Sequence, residues 1–201
     1  MLDAPNIDLA ALVEPVQAIA GEAGRRILEV YAGSFSVTEK ADQSPVTEAD
    51  LAAHGCILRG LAELTPDIPI LSEEAPDVSF AERSRWEWLW LVDPLDGTRE
   101  FIKRSDQFSV NIALIHRHEV VFGLILLPVV GICYHAFRGG GAHKQLVGSR
   151  ARRIQAARVC HYPVRVVSSR GSYGTRRLQD YLSLLGPHRR FCLGGALKSC
   201  L

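Results

Sequence analysis

The chain has 201 residues, of which 47% are hydrophobic and 22% charged, with a net charge of +1. This is the composition of a globular protein and excludes a collagen-like, low-complexity or charge-expanded disordered chain. The most apolar run, Val120 to Cys133, is broken by Pro128 and is too short to span a bilayer, so no integral membrane segment is predicted.

The small net charge hides a division. Residues 1–137 carry 10 Lys/Arg and 21 Asp/Glu, whereas residues 138–201 carry 13 Lys/Arg and one acid, Asp180. An acidic half beside a basic half suits a metal-binding part and an anion-binding part. Non-specific nucleic-acid binding and two solvated faces are the competing readings. The five cysteines form no CxxC pair and are odd in number, which fits free thiols in a reducing compartment rather than a disulfide framework or a zinc site. No basic n-region of a signal peptide opens the chain.

Apolar residues at helical spacing from Ile7 to Val30 predict a long amphipathic helix, interrupted or begun anew at Pro15 and ended by Gly33. A short strand follows near residue 36. Thr47 with Asp50 three positions on resembles a capping box, opening a second helix that Pro66 closes. Ile68 to Leu71 reads as a short strand ending in Glu73 and Glu74.

Trp86 to Lys103 is the most informative stretch. An apolar run, Trp88 to Val92, predicts a buried strand that ends in Asp93 and Asp96. Pro94 stiffens the turn, Gly97 permits close approach of the backbone to a ligand, and Thr98 is placed to cap a following helix. The first N–H groups of that helix could hold an anion. Hard cations take oxygen ligands shared with a substrate phosphate, so this string fits a metal-assisted phosphate site; it also fits a plain polar turn. Sites in α/β sheets lie at the carboxyl ends of strands. If the two acid-tipped strands are neighbours, Glu73, Asp93 and Asp96 converge on one cation.

Residues 107–147 predict an antiparallel meander, with Phe108, Val110, Ile112 and Leu114 on one face and His116 and His118 solvated in a hairpin. After Gly148 a basic connection marks a domain boundary, giving domains at 1–150 and 151–201. A strand from Val164 to Val167 ends in Ser168, Ser169, Arg170 and Gly171, suited to a phosphate or ribose contact or to an ordinary capped loop. A helix from about Thr175 and a strand from Phe191 follow.

Five segments now carry a resemblance: KADQSPVTEAD (40–50), PILSEE (69–74), WLVDPLDGTREFIKR (90–104), FSVNIAL (108–114) and VVSSR (166–170). The chain resembles the inositol monophosphatase-like, lithium-sensitive phosphatase superfamily, and within it the CysQ-type 3′(2′),5′-bisphosphate nucleotidases, which the REFIKR continuation favours. The resemblance implies a layered α+β / α/β sandwich and a Mg²⁺-dependent phosphatase, with two or three ions, that converts adenosine 3′,5′-bisphosphate to AMP in sulfur metabolism. Inositol monophosphatase activity is the alternative.

Carried onto this sequence, Glu73, Asp93 and the Leu95 carbonyl would hold one Mg²⁺, and Asp93 and Asp96 a second. Asp50 and Thr98, with Glu73, would orient or deprotonate the attacking water. Glu73, Leu95, Asp96, Gly97, Thr98, Ser168 and Arg170 would contact substrate. The implied partner is a small-molecule nucleotide, not nucleic acid. The implied location is the cytoplasm, with a peripheral place at the inner face of the cell membrane as the variant. Where the family has a G-S-S-x-K segment this chain has Gly194-Gly195-Ala196-Leu197-Lys198, and the family's later W-D-x-x-A stretch is missing. The expectation is a truncated member with an incomplete second sheet, impaired activity and reduced stability; a remnant that only binds nucleotide is its extreme form.

Overall fold

A computed structural model of the chain describes residues 7–39, 45–76, 78–146 and 148–154. Of the predicted second domain only residues 151–154 are described; Ser168, Ser169, Arg170, the strands from Val164 and Phe191 and the helix from Thr175 lie outside the described residues. So do residues 40–44 of the first matching segment.

The elements run α1 (Val13–Ala32), β1 (Val37–Glu39), β2 (Pro45–Thr47), α2 (Glu48–Leu64), β3 (Ile70–Ser72), α3 (Phe80–Arg83), β4 (Trp88–Asp96), α4 (Thr98–Ile102), β5 (Ser109–His116), β6 (Glu119–Leu127), β7 (Ile132–Phe137), β8 (Gly141–Leu146) and β9 (Arg152–Ile154). β1 and β2 form a small ribbon, and β3 to β9 form one seven-stranded sheet in chain order. Only the β3–β4 pair is parallel; the other pairs in that sheet are antiparallel.

The long predicted helix begins at Val13, so Pro15 falls in its first turn, where the missing N–H costs nothing. Helices α1 and α2 bury Val16, Ala20, Ala23, Ile27, Ala53, Ile57 and Leu61. Those side chains join Trp90, Phe101, Phe108, Phe122 and the expected Val110, Ile112 and Leu114 in one core. Each large side chain so buried contributes roughly 1.5–3 kcal/mol. The helix layer sits close to the sheet: a Cβ on Gly24 would lie 2.9 Å from a Leu126 methyl.

Two expectations change. The strand read as Trp88–Val92 runs on through Asp96, and it is not buried on both faces. Trp90 and Val92 are buried while Leu91 between them is 43% exposed. The apolar run hid an alternation, because both faces of this strand carry hydrophobic residues. The three glycines at 139–141 predict a turn before a short strand near residues 144–147; the strand that forms, β8, already starts at Gly141, and the sheet continues through β9 to Ile154.

Candidate phosphatase site

The site forms where β3 and β4 end side by side. Ser72 pairs with Val92 in the parallel ladder, and the Glu73 N–H then donates to the Val92 carbonyl at 3.1 Å. That bond holds Glu73 beside Asp93. The predicted neighbouring of the two acid-tipped strands is therefore met.

Asp93 and Asp96 are three residues apart, and in a regular strand they would point to opposite faces. The pairing with β5 shows why they do not. Asp93 stands opposite Asn111, but Asp96 stands opposite Ser109, so β4 carries one extra residue between them. This bulge, at Pro94-Leu95, resets the alternation and returns Asp96 to the side of Asp93. Proline suits the position because it has no N–H to give to the ladder.

Like charges are crowded here. Burial first, then the neighbouring Glu73 and Asp96 carboxylates, push the Asp93 carboxyl up to about 8. Asp96 is raised by burial and by Glu73 and Glu100, against one donor, the Asn111 amide at 3.1 Å. Among the described residues no three His, Cys, Asp or Glu side chains stand as a finished metal cage. The donors are all oxygen and their repulsion calls for positive charge, so the cluster fits a hard divalent cation.

Asp50 enters from the start of α2. Its Oδ2 accepts from the Thr47 N–H (2.7 Å) and the Thr47 hydroxyl (2.6 Å), and the Thr47 oxygen accepts from Ala49 N–H at 3.2 Å. The capping box is thus real, and Asp substitutes for the usual Glu. It also leaves Oδ1 for the Thr98 hydroxyl, 3.1 Å away. Asp50 is 1% exposed, and burial raises its pKa against these bonds.

Thr98 is not the cap that the sequence predicts. Gly97 takes that place in α4 with φ +96°, and the Thr98 hydroxyl faces Asp50 Oδ1 and the Leu95 carbonyl (3.2 Å) instead. A side chain at 97 would be strained by that φ, and its Cβ would lie 2.8 Å from the Gln107 carbonyl. The described contact thus traces the need for glycine to the chain's own packing.

Three residues around the acids escaped the sequence reading. Asn111 holds Asp96. Ser109, fully buried, donates to Asn111 Oδ1 at 3.0 Å. His54, one helical turn beyond Asp50, lies 2.9 Å by Nδ1 from the buried Ser72 hydroxyl, just before Glu73. The usable signal was Asn111, a polar residue on the face of β5 opposite its apolar alternation. His116 is not simply solvated: it stacks on Trp88 at 3.9 Å and lies 3.4 Å from Glu87.

Similarity to known proteins agrees with this geometry. Residues 8–201 match the profile of the inositol monophosphatase family. The chain belongs to that family. It is 45% identical over 193 residues to the 3′(2′),5′-bisphosphate nucleotidase CysQ of Escherichia coli (strain K12), an alignment covering 94% of this chain and 76% of the relative. Among solved structures it is similar to CysQ from Bacteroides thetaiotaomicron, described as a bacterial member of the inositol monophosphatase family. The TM-score there is 0.67 and the identity 36%, over 90% of this chain and 70% of the other. It is also similar to the extragenic suppressor protein suhB from Bartonella henselae, with a TM-score of 0.62 and 29% identity over 74% of this chain and 56% of the other. The expected inositol monophosphatase-type fold is borne out by these family structures. No described helix is long and apolar enough to cross a membrane.

Proposed function

We propose that the chain is a Mg²⁺-dependent 3′(2′),5′-bisphosphate nucleotidase, releasing the 3′-phosphate of adenosine 3′,5′-bisphosphate to give AMP. The observation that carries the reading is the bulge at Pro94-Leu95. It sets Asp96 on the side of Asp93 and Glu73, while the Thr98 hydroxyl lies between Asp50 and the Leu95 carbonyl of the bulge. The similarity to proteins named as these nucleotidases supports the choice of substrate.

Glu73, Asp93, the Leu95 carbonyl and Asp96 would hold two or three Mg²⁺ ions. When bound, Mg²⁺ lowers the pKa of water and neutralises charge growing on the leaving oxygen. The rest falls to side chains of this protein. The single Thr98 hydroxyl proton points to Asp50 Oδ1 or to the Leu95 carbonyl, and its lone pairs stay open to the attacking water. As water attacks phosphorus in line, its proton passes to Thr98 Oγ1 and the Thr98 proton to Asp50. Asp50 is suited as the acceptor because burial raises its basicity. Glu73 orients the same water. The N–H groups of Gly97 and Thr98 receive the phosphate, and Ser168 and Arg170 contact the nucleotide. Lithium sensitivity and a cytoplasmic setting complete the proposal.

The test is Mg²⁺-dependent phosphate release from adenosine 3′,5′-bisphosphate by the purified chain, beside inositol 1-phosphate and an Asp93→Asn variant. Release from the nucleotide, lost in the variant, is the expected result. Preferred release from inositol 1-phosphate would replace the substrate, and equal release by the variant would remove the site.

A further inference from the structure

Asn111 stands opposite Asp93 in the ladder, yet its bond goes to Asp96. Asp96 follows the bulge, where ladder pairing is interrupted, so the regular backbone of β4 does not by itself fix its carboxylate. The neighbouring strand does. A carboxylate only accepts, so the Asn111 amide must turn its NH₂ to Asp96 Oδ2 and its oxygen to Ser109. The Ser109 hydroxyl, in a residue with no exposed surface, gives its proton to the amide oxygen and holds the side chain from its other end, while the acceptor-only Asp96 carboxylate sets the sense. The result is a relay with one sense, Ser109 to Asn111 to Asp96. Its last bond falls on Oδ2 of Asp96.

We propose that Asn111, supported by Ser109, is a positioning residue that sets the Asp96 carboxylate for a divalent cation. This rests on the reading of Asp96 as a metal ligand. Partners that orient a ligating group typically change metal affinity by about 10- to 100-fold when removed.

The test is binding of Mn²⁺ to the purified full chain without substrate, read from the electron paramagnetic resonance of the free ion. Asn111→Leu keeps a side chain of similar size and removes the donor. It is expected to raise the half-saturating Mn²⁺ concentration by about 10- to 100-fold while melting stays cooperative. Ser109→Ala cuts the relay one bond earlier. It is expected to raise that concentration by a smaller factor, and it serves as the measurement if Asn111→Leu fails to fold. Wild-type Mn²⁺ binding in a folded Asn111→Leu chain, or in Ser109→Ala where that chain does not fold, overturns the positioning role. Asp96→Asn separates the two ideas: if it too binds Mn²⁺ like the wild type, the ligand reading itself fails.

Discussion

The sheet holds two polar clusters of opposite character. At the β3–β4 end, carboxylates crowd one another and Asp93 is pushed up to about 8. Under α1, at the β7–β8 pair, neutral groups are matched instead. Gln145 donates its amide to the Ser149 carbonyl (2.8 Å), its oxygen accepts from Gln17 (2.9 Å), and Gln17 gives its second proton to His135 Nδ1 (3.1 Å). The carbonyl can only accept, so the sense of the whole chain is fixed and His135 is a neutral acceptor at Nδ1. Among the polar atoms around it, His143 Nδ1 is buried without a partner. The difference separates a polar cluster that holds structure from one that waits for a ligand. The first consists of complementary donors and acceptors; the second keeps like charges together against their own repulsion.

The largest expected effect breaks the acidic cluster. Asp93→Asn should reduce phosphate release to background yet leave the metal-free protein more stable, by roughly 0.5–2 kcal/mol, because the native state no longer has to hold a proton on a buried carboxyl that ionises freely in the unfolded chain. Parallel turnover and urea unfolding check this, and a less stable variant would mean that the charges are already compensated. Next comes Thr98→Val, expected to lower kcat by about 10²- to 10⁴-fold with little change in KM, if the hydroxyl carries the proton. Steady-state kinetics read it directly.

The matched cluster should respond the other way. Gln17→Leu leaves His135 Nδ1 and the Gln145 oxygen unpaired, at a cost of about 1–3 kcal/mol in stability, while turnover per folded molecule stays unchanged. Denaturant midpoints and kcat separate the two.

The smallest effect is in the pH profile of metal-free stability, where the clusters carry opposite signs. Asp93 titrates at 3.8 unfolded and about 8 folded, so the native state holds more protons in that window and stability falls as pH rises through it. His135 is lowered from 6.5 by burial and by His143, so its contribution is lost as pH falls below 6.5 and the unfolded chain takes the proton. Melting curves from pH 5 to 8.5 should lose the fall in stability toward pH 8 in Asp93→Asn, and in His135→Gln should lose the opposing fall in stability below pH 6.5. An unchanged slope in either variant would detach that cluster from the profile.

The sequence by itself determined the two long helices, the strands of the meander and the acid-tipped pair of strands. Those rest on local periodicity and on turn residues, which act within a few positions of each other. Strand-end spacing grouped Glu73, Asp93 and Asp96, and the family resemblance added Asp50, Gly97 and Thr98 to the same candidate site. Two readings of Asp50, cap and catalytic group, stood as rivals because a string of letters does not show that a carboxylate has two oxygens to divide between Thr47 and Thr98.

Tertiary structure decided the rest. Asp93 and Asp96 share a side only because pairing with β5 absorbs one extra residue, and a register shift is a property of two strands, not of one. Asn111, Ser109 and His54 became visible for the same reason: each acts on an acid or its strand from another element. Thr98 gave up its capping role because Gly97, at φ +96°, starts the helix and turns the hydroxyl toward Asp50. Local patterns set the elements; the meeting of strand ends and one bulge set the chemistry.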